Sequence, residues 1–396
     1  MSHSTLGGGL RGMAAGVLWV SLLTLRAETD VYLLEVPDYD WQYGCFGTAC
    51  GNLFGFWDRN GLPGFYSGPT AGGIAPLDSR EANAGIRSMW ASQAGFDGRP
   101  DDKPGHVDDY WKYYESTAAD PYATAGRTEH APDCVGDFIG LNQKKWTDMN
   151  GECDGNIDGF SFVYWDQAGD RRLNHQPTNT LGEPVPDIQS GLGGWTRFRG
   201  YEAEVFSQLA DFNPTVQPGK GFTFDDLKGE IDAGYPVLLF LQEPQNSRSI
   251  GGMPRANPDL HGMLAYGYGI GESGEQIVRY RTSWGDGGNY KPWSGTPWEA
   301  FLPLRGVIGY HPKPKITKLE PNASSLMISW AGPSARLYDA VSGVTHAVHR
   351  YVVETSATLP PTDFYPVTGT NTAQQATVSF CACSPAAFFR VRLVSP

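Results

Sequence analysis

"DYDWQYGCFGTACGNLFGFWDRNG", Asp38 to Gly61, is the stretch that decides how this chain is read. No proline interrupts it from Cys45 to Asn60, and Asn60-Gly61 is a good C-terminal stop. Cys45, Ala49, Leu53 and Trp57 fall four apart on one stripe, and Gly47, Gly51 and Gly55 on another. The spacing predicts a helix over this run. Each interior glycine weakens a helix by about 1 kcal/mol relative to alanine. Tertiary packing must overcome that cost, so the helix is expected to be central and buried, with a bare face that something approaches closely. Cys45 stands at its start, where orphan N–H groups and the positive dipole end favour an anion. A thiol there is expected to have its pKa lowered. The other readings of Cys45 are half of a disulfide or a small apolar filler.

The chain has 396 residues, ample for two domains, and 40 % of them are hydrophobic. Fifty glycines and 29 prolines imply long irregular stretches rather than a helical bundle. The formal charge of −13 has no offsetting basic cluster, which argues against a nucleic-acid partner.

Residues 1–27 read as a signal peptide. A lone early Arg11 precedes the apolar run Met13 to Leu25, which is too short for a comfortable membrane span, and Ala27 is the expected cleavage point. The expectation is a secreted or periplasmic protein with no transmembrane segment after signal removal. Such a compartment is oxidising, so thiols tend to pair. The six cysteines are Cys45, Cys50, Cys134, Cys153, Cys381 and Cys383. A free Cys45 leaves an odd count, and Cys134 with Cys153 is the preferred bridge.

Three stretches follow the signal. Residues 31–310 mix helix and strand signals. Within them Thr223 is placed to cap a helix, Leu227 and Ile231 share its apolar face, and Gly234 ends it. A buried strand, Pro236 to Gln242, comes next, then two more in "HGMLAYGYGI" and "EQIVRYRTSW". Short links between sequential strands favour an antiparallel sheet. The region from Asp97 to Thr215 yields no assignment. His311 to Asn322 reads as a Pro/Lys-rich linker running into a strand. The segment 311–396 reads as an all-β sandwich of fibronectin-III or immunoglobulin type, with strands in "SSLMISWAG", "HRYVVETSATL", "QATVSF" and "AFFRVRLV" and with Trp330 and Phe389 in its core.

Of the eight histidines, His261 alone opens an apolar glycine-rich strand, and "TSWG" (Thr282 to Gly285) follows on the next strand. A thiol at a central helix start, a histidine opening a strand and an "SWG" beyond it resemble the papain-like cysteine peptidases, closest to the bacterial C39-like group. "HAPDCVGDFIG" and "IDAGYPVLL" carry the same resemblance. It implies an α+β fold, with a central helix on an antiparallel sheet, over residues 31–310. It also implies hydrolysis of a peptide or amide bond in a peptide or protein substrate. Cys45 would be the nucleophile and His261 its base, and Gln42 with the Cys45 N–H would steady the oxyanion. Thr282 stands where relatives carry Asn or Asp, so its hydroxyl is expected to orient the imidazole more weakly, with Asp286 as a substitute. Phe46 and Gly47 also depart from the usual pattern, and the 216 residues between Cys45 and His261 point to an insertion. The alternative is a degenerate, non-catalytic relative that binds a surface; amide transfer to an amine is a third reading.

No cofactor is implied. Asp154, Asn156 and Asp158 match the opening of a calcium loop, but Trp165 takes the position of the closing carboxylate. An Asx-turn-rich hairpin beginning near Cys153 is the competing and preferred reading. A surface ligand for the C-terminal segment is a further expectation.

Overall fold

The computed structural model describes residues 29–40, 45–66, 74–78, 132, 135–140, 153–155, 162–242, 260–283, 285, 289–292, 304–357, 360–361, 363–379 and 388–394. The 1–27 segment lies outside them. Among the described residues no helix is long and apolar enough to cross a membrane.

The chain is α+β, with few helices and mainly antiparallel sheets. Helix α1 (Cys45–Arg59) is buried at every position except Arg59. A helix apolar or small all round belongs inside a fold, which answers why three glycines are tolerated. A Cβ at Gly55 would come within 2.5 Å of the Tyr39 hydroxyl, and that hydroxyl donates to the Pro76 carbonyl at 2.8 Å. The bare helix face is therefore where the chain leading into the helix packs.

The sheet beside α1 has ten strands. Its spine is β7 (Leu260–Ile270), eleven residues long. One edge of β7 pairs with β8 (Gln276–Arg281), which in turn pairs with β9 (Asn289–Pro292). The opposite edge is shared, because β6 (Val237–Gln242) pairs with its first half and β1 (Thr29–Leu33) with its second. Beyond β6 come β10 (Leu304–Pro312), β5 (Ala203–Leu209) and the short β4 (Arg172–Leu173), all antiparallel.

Three further helices are described. The five-residue α2 (Val135–Ile139) packs against α3 (Ile188–Phe198). Asp187 and Ser190 close a reciprocal cap at the start of α3. Helix α4 (Phe224–Asp232) is capped by Thr223 with Asp226; Leu227 and Ile231 are buried, and Gly234 follows with φ +87°. These are the residues the sequence singled out for that helix. A separate hairpin, β2 (Cys153–Gly155) with β3 (Phe162–Tyr164), pairs Cys153 with Tyr164.

The C-terminal strands divide between two structures. β11 (Lys315–Asn322), β12 (Ser325–Ala331) and β17 (Gln375–Ser379) form one small antiparallel sheet. β15 (Arg350–Ser356), β16 (Tyr365–Pro366) and β18 (Phe388–Val394) form another. The two share a cluster of Ile328, Trp330, Tyr351, Val353 and Val378, with Phe389 packed against it. The four strands expected from sequence are all present. Among the strands not foreseen, β13 (Arg336–Asp339) and β14 (Val344–Ala347) leave the small sheets and extend the large one, β13 pairing with β1. The stretch His311 to Asn322, read as a linker, is strand almost throughout.

Candidate active site

Two elements meet where the sequence places its nucleophile and base. The start of α1 seats on β7 at Gly262, where an added Cβ would come within 2.5 Å of the Phe46 ring and 2.9 Å of the Phe46 Cα. Only a residue without a side chain lets the helix backbone come so close. The Phe46 ring stacks on Phe240 of β6 at 4.7 Å between centroids, which holds the helix end in place. The Cys45 sulfur then lies within hydrogen-bonding reach of the Gly262 main-chain N–H. Folding thus brings Cys45 against the residue that follows His261.

His261 is buried at the start of β7. Its Nε2 lies 2.7 Å from the main-chain carbonyl oxygen of Thr282. A carbonyl can only accept, so Nε2 carries the proton and, in the neutral ring, Nδ1 holds the basic lone pair. Thr282, expected to orient the imidazole through its hydroxyl, meets it through its backbone carbonyl oxygen. The adjoining Ser283 is buried and left-handed, with φ +65°, and its hydroxyl donates to the Gly262 carbonyl at 2.9 Å. Gly285, also left-handed, lies against the Asp40 carboxylate.

The thiol departs from expectation. Burial pushes the Cys45 pKa up to about 11, while the main-chain N–H groups of Gly262, Phe46 and Cys45 pull it down and lose. Loss of hydration outweighs the helix start here. Cys45 and Cys50 are both free, and burial drives the Cys50 thiol well above the ordinary range. The reading of Cys45 as half of a disulfide therefore does not hold. Four cysteines remain, an even number; Cys134, Cys381 and Cys383, and the side chain of Cys153, lie outside the described residues.

Gln42 and Asp286 also lie outside them, as do Asn156 and Asp158. Asp154 is on β2, paired with Val163, so the supposed calcium loop begins on a hairpin strand. Among the described residues no group of three His, Cys, Asp or Glu could hold a metal ion. Sequence reasoning did not single out Gly262 or Ser283. The clues were a glycine directly after the histidine and a serine directly before Trp284.

Compared with known protein families, curated proteins and solved structures, the chain matches none.

Proposed function

We propose that the protein is an exported cysteine hydrolase of papain-like type that cleaves peptide or amide bonds with Cys45 and His261. The supporting observation is the meeting of a free thiol at a helix start with the peptide unit after a histidine whose Nε2 is fixed on a carbonyl. In this reading Nδ1 takes the Cys45 proton as sulfur attacks the substrate carbonyl carbon. The carbonyl oxygen becomes an oxyanion, steadied by the Cys45 N–H and, as the resemblance implies, by Gln42. Collapse breaks the C–N bond, and the imidazolium returns its proton to the leaving amine. Water then attacks the thioester with the same ring as base, releasing the acid and restoring the thiol.

A raised thiol pKa makes the resting pair neutral, so the proton moves during attack rather than before it. The same burial favours the second reading, a relative that kept the fold and binds without cleaving. The two small C-terminal sheets, read as a fibronectin-like sandwich, would then position a substrate or a surface.

Cys45→Ala and His261→Ala are expected to abolish hydrolysis of a mixed peptide library, and Cys45→Ala to abolish labelling by thiol-reactive peptide probes. Wild-type hydrolysis that persists in either variant rejects the assignment.

A further inference from the structure

The Thr282 carbonyl points at an imidazole, and a main-chain direction calls for a main-chain cause. The next residue supplies one. Serine seldom adopts a left-handed backbone, which glycine, asparagine and aspartate tolerate better, yet Ser283 has φ +65° and is fully buried. The hydrogen bond that holds it there runs from its hydroxyl to the Gly262 carbonyl. A residue turned to positive φ redirects the peptide unit before it. Here that unit carries the Thr282 oxygen that meets His261 Nε2 at 2.7 Å.

Gly262 is the common anchor. Its carbonyl accepts from Ser283 and its N–H faces the Cys45 sulfur. One strained, hydrogen-bonded turn therefore ties the imidazole's partner to the strand residue beside the thiol. Strain that persists in a buried site is over-determined by its surroundings and often serves the site.

We infer that Ser283 is the positioning residue of this site: its left-handed backbone and its hydroxyl bond to Gly262 hold the Thr282 carbonyl on His261 Nε2, so that a main-chain oxygen does the work a side-chain amide or carboxylate does in relatives. Being buried, Ser283 acts through His261 rather than on substrate. The inference rests on the proposed hydrolase reading for its rate effect alone; the geometry stands without it.

The test uses the full chain with nitrogen-15-labelled histidine. In Ser283→Ala the hydroxyl bond is gone, the turn relaxes and the carbonyl leaves the ring. An acceptor on Nε2–H favours the charged imidazole, so its loss is expected to lower the pH at which His261 titrates by half a unit or more and to mix its two neutral tautomers. The rate kcat should fall about tenfold to a hundredfold with KM within about threefold, as expected for a misaligned reacting group. Ser283→Gly accepts positive φ without strain and should fall between alanine and wild type on every readout. An unchanged His261 tautomer and titration in folded Ser283→Ala overturns the inference. Should that variant not fold, an unchanged titration in Ser283→Gly overturns it equally. A chain that cleaves no peptide but shows the histidine shift retires the hydrolase reading and leaves the role of Ser283 intact.

Discussion

The two apolar cores of this molecule differ in kind. The large one runs from α1 through β7, β6 and β10 and contains Trp57, Trp195, Phe54 and Tyr310, all fully buried. Among the described residues, the small one has five buried residues between two three-stranded sheets. A core that small is marginal on its own. The chain compensates by exporting part of the same stretch: Leu337 of β13, Ala335 and Val348 belong to the large core. Main-chain bonds run from Gly332 to Gly61 at 2.9 Å, from Ser334 to Asn60 at 2.9 Å and from Leu34 to Arg336 at 3.0 Å. The difference teaches that the C-terminal segment is less a separate module than a piece woven into the body, where it meets the end of α1 far from Cys45.

The largest expected effect follows from that weaving. Truncation after Pro312 strips β13 from β1 and removes Ala331, Ala335, Leu337 and Val348 from the large core. Leu337 and Val348 are worth about 1.5–3 kcal/mol each and each alanine methyl about 0.8 kcal/mol, so the loss is on the order of 5 kcal/mol before strand pairing is counted. Thermal unfolding followed by circular dichroism should show the body collapsing to a much lower midpoint or failing to fold. A midpoint within a few degrees of the full chain's would break the comparison and make the segment independent.

A smaller effect sharpens it. His349, from the C-terminal segment, packs between Trp57 at 6.1 Å and Tyr235 at 5.2 Å, over Gly234. Its Nδ1 accepts from the Ala335 N–H at 3.1 Å. The His311–Glu230 pair, 2.5 Å apart, lies beside Tyr235. Burial first, and the neighbouring His311 second, push the His349 pKa down to about 3. The folded state thus refuses a proton that the unfolded chain accepts near pH 6.5. The stability this neutral ring supports is intact above that pH and is lost as pH falls below it, at up to about 1.4 kcal/mol per unit. His349→Gln keeps an acceptor for Ala335 and cannot titrate there. It should flatten the fall in unfolding free energy between pH 6.5 and 5; an identical slope would place the acid sensitivity elsewhere.

Local pattern made much of this legible. The proline-free run of α1, the Thr223 cap and Gly234 stop of α4, and the strands 325–331 and 350–356 all carry their own signals. Helix α3 was missed because Gly191, Gly193 and Gly194 dilute its pattern. Gly191 and Gly194 are there because α2 crosses so closely, at Phe138, which is a tertiary reason. The pairing of β13 with β1 joins residues some three hundred apart and leaves no local trace. At the candidate site, residue types pointed to Cys45 and His261, but types say nothing of main-chain direction or burial. Hence residue types did not foretell the Thr282 carbonyl at the imidazole, nor the burial that pushes the Cys45 thiol up.

The most direct measurement is the pH dependence of Cys45 alkylation by iodoacetamide, followed residue by residue by mass spectrometry, in wild type and His261→Ala. A reacting pair predicts faster Cys45 labelling in wild type than in His261→Ala from pH 6 to 9, with the variant's rate still climbing toward a thiol pKa near 11. Equal rates across that range in both proteins would contradict the account, because the imidazole would then play no part in the chemistry of the sulfur.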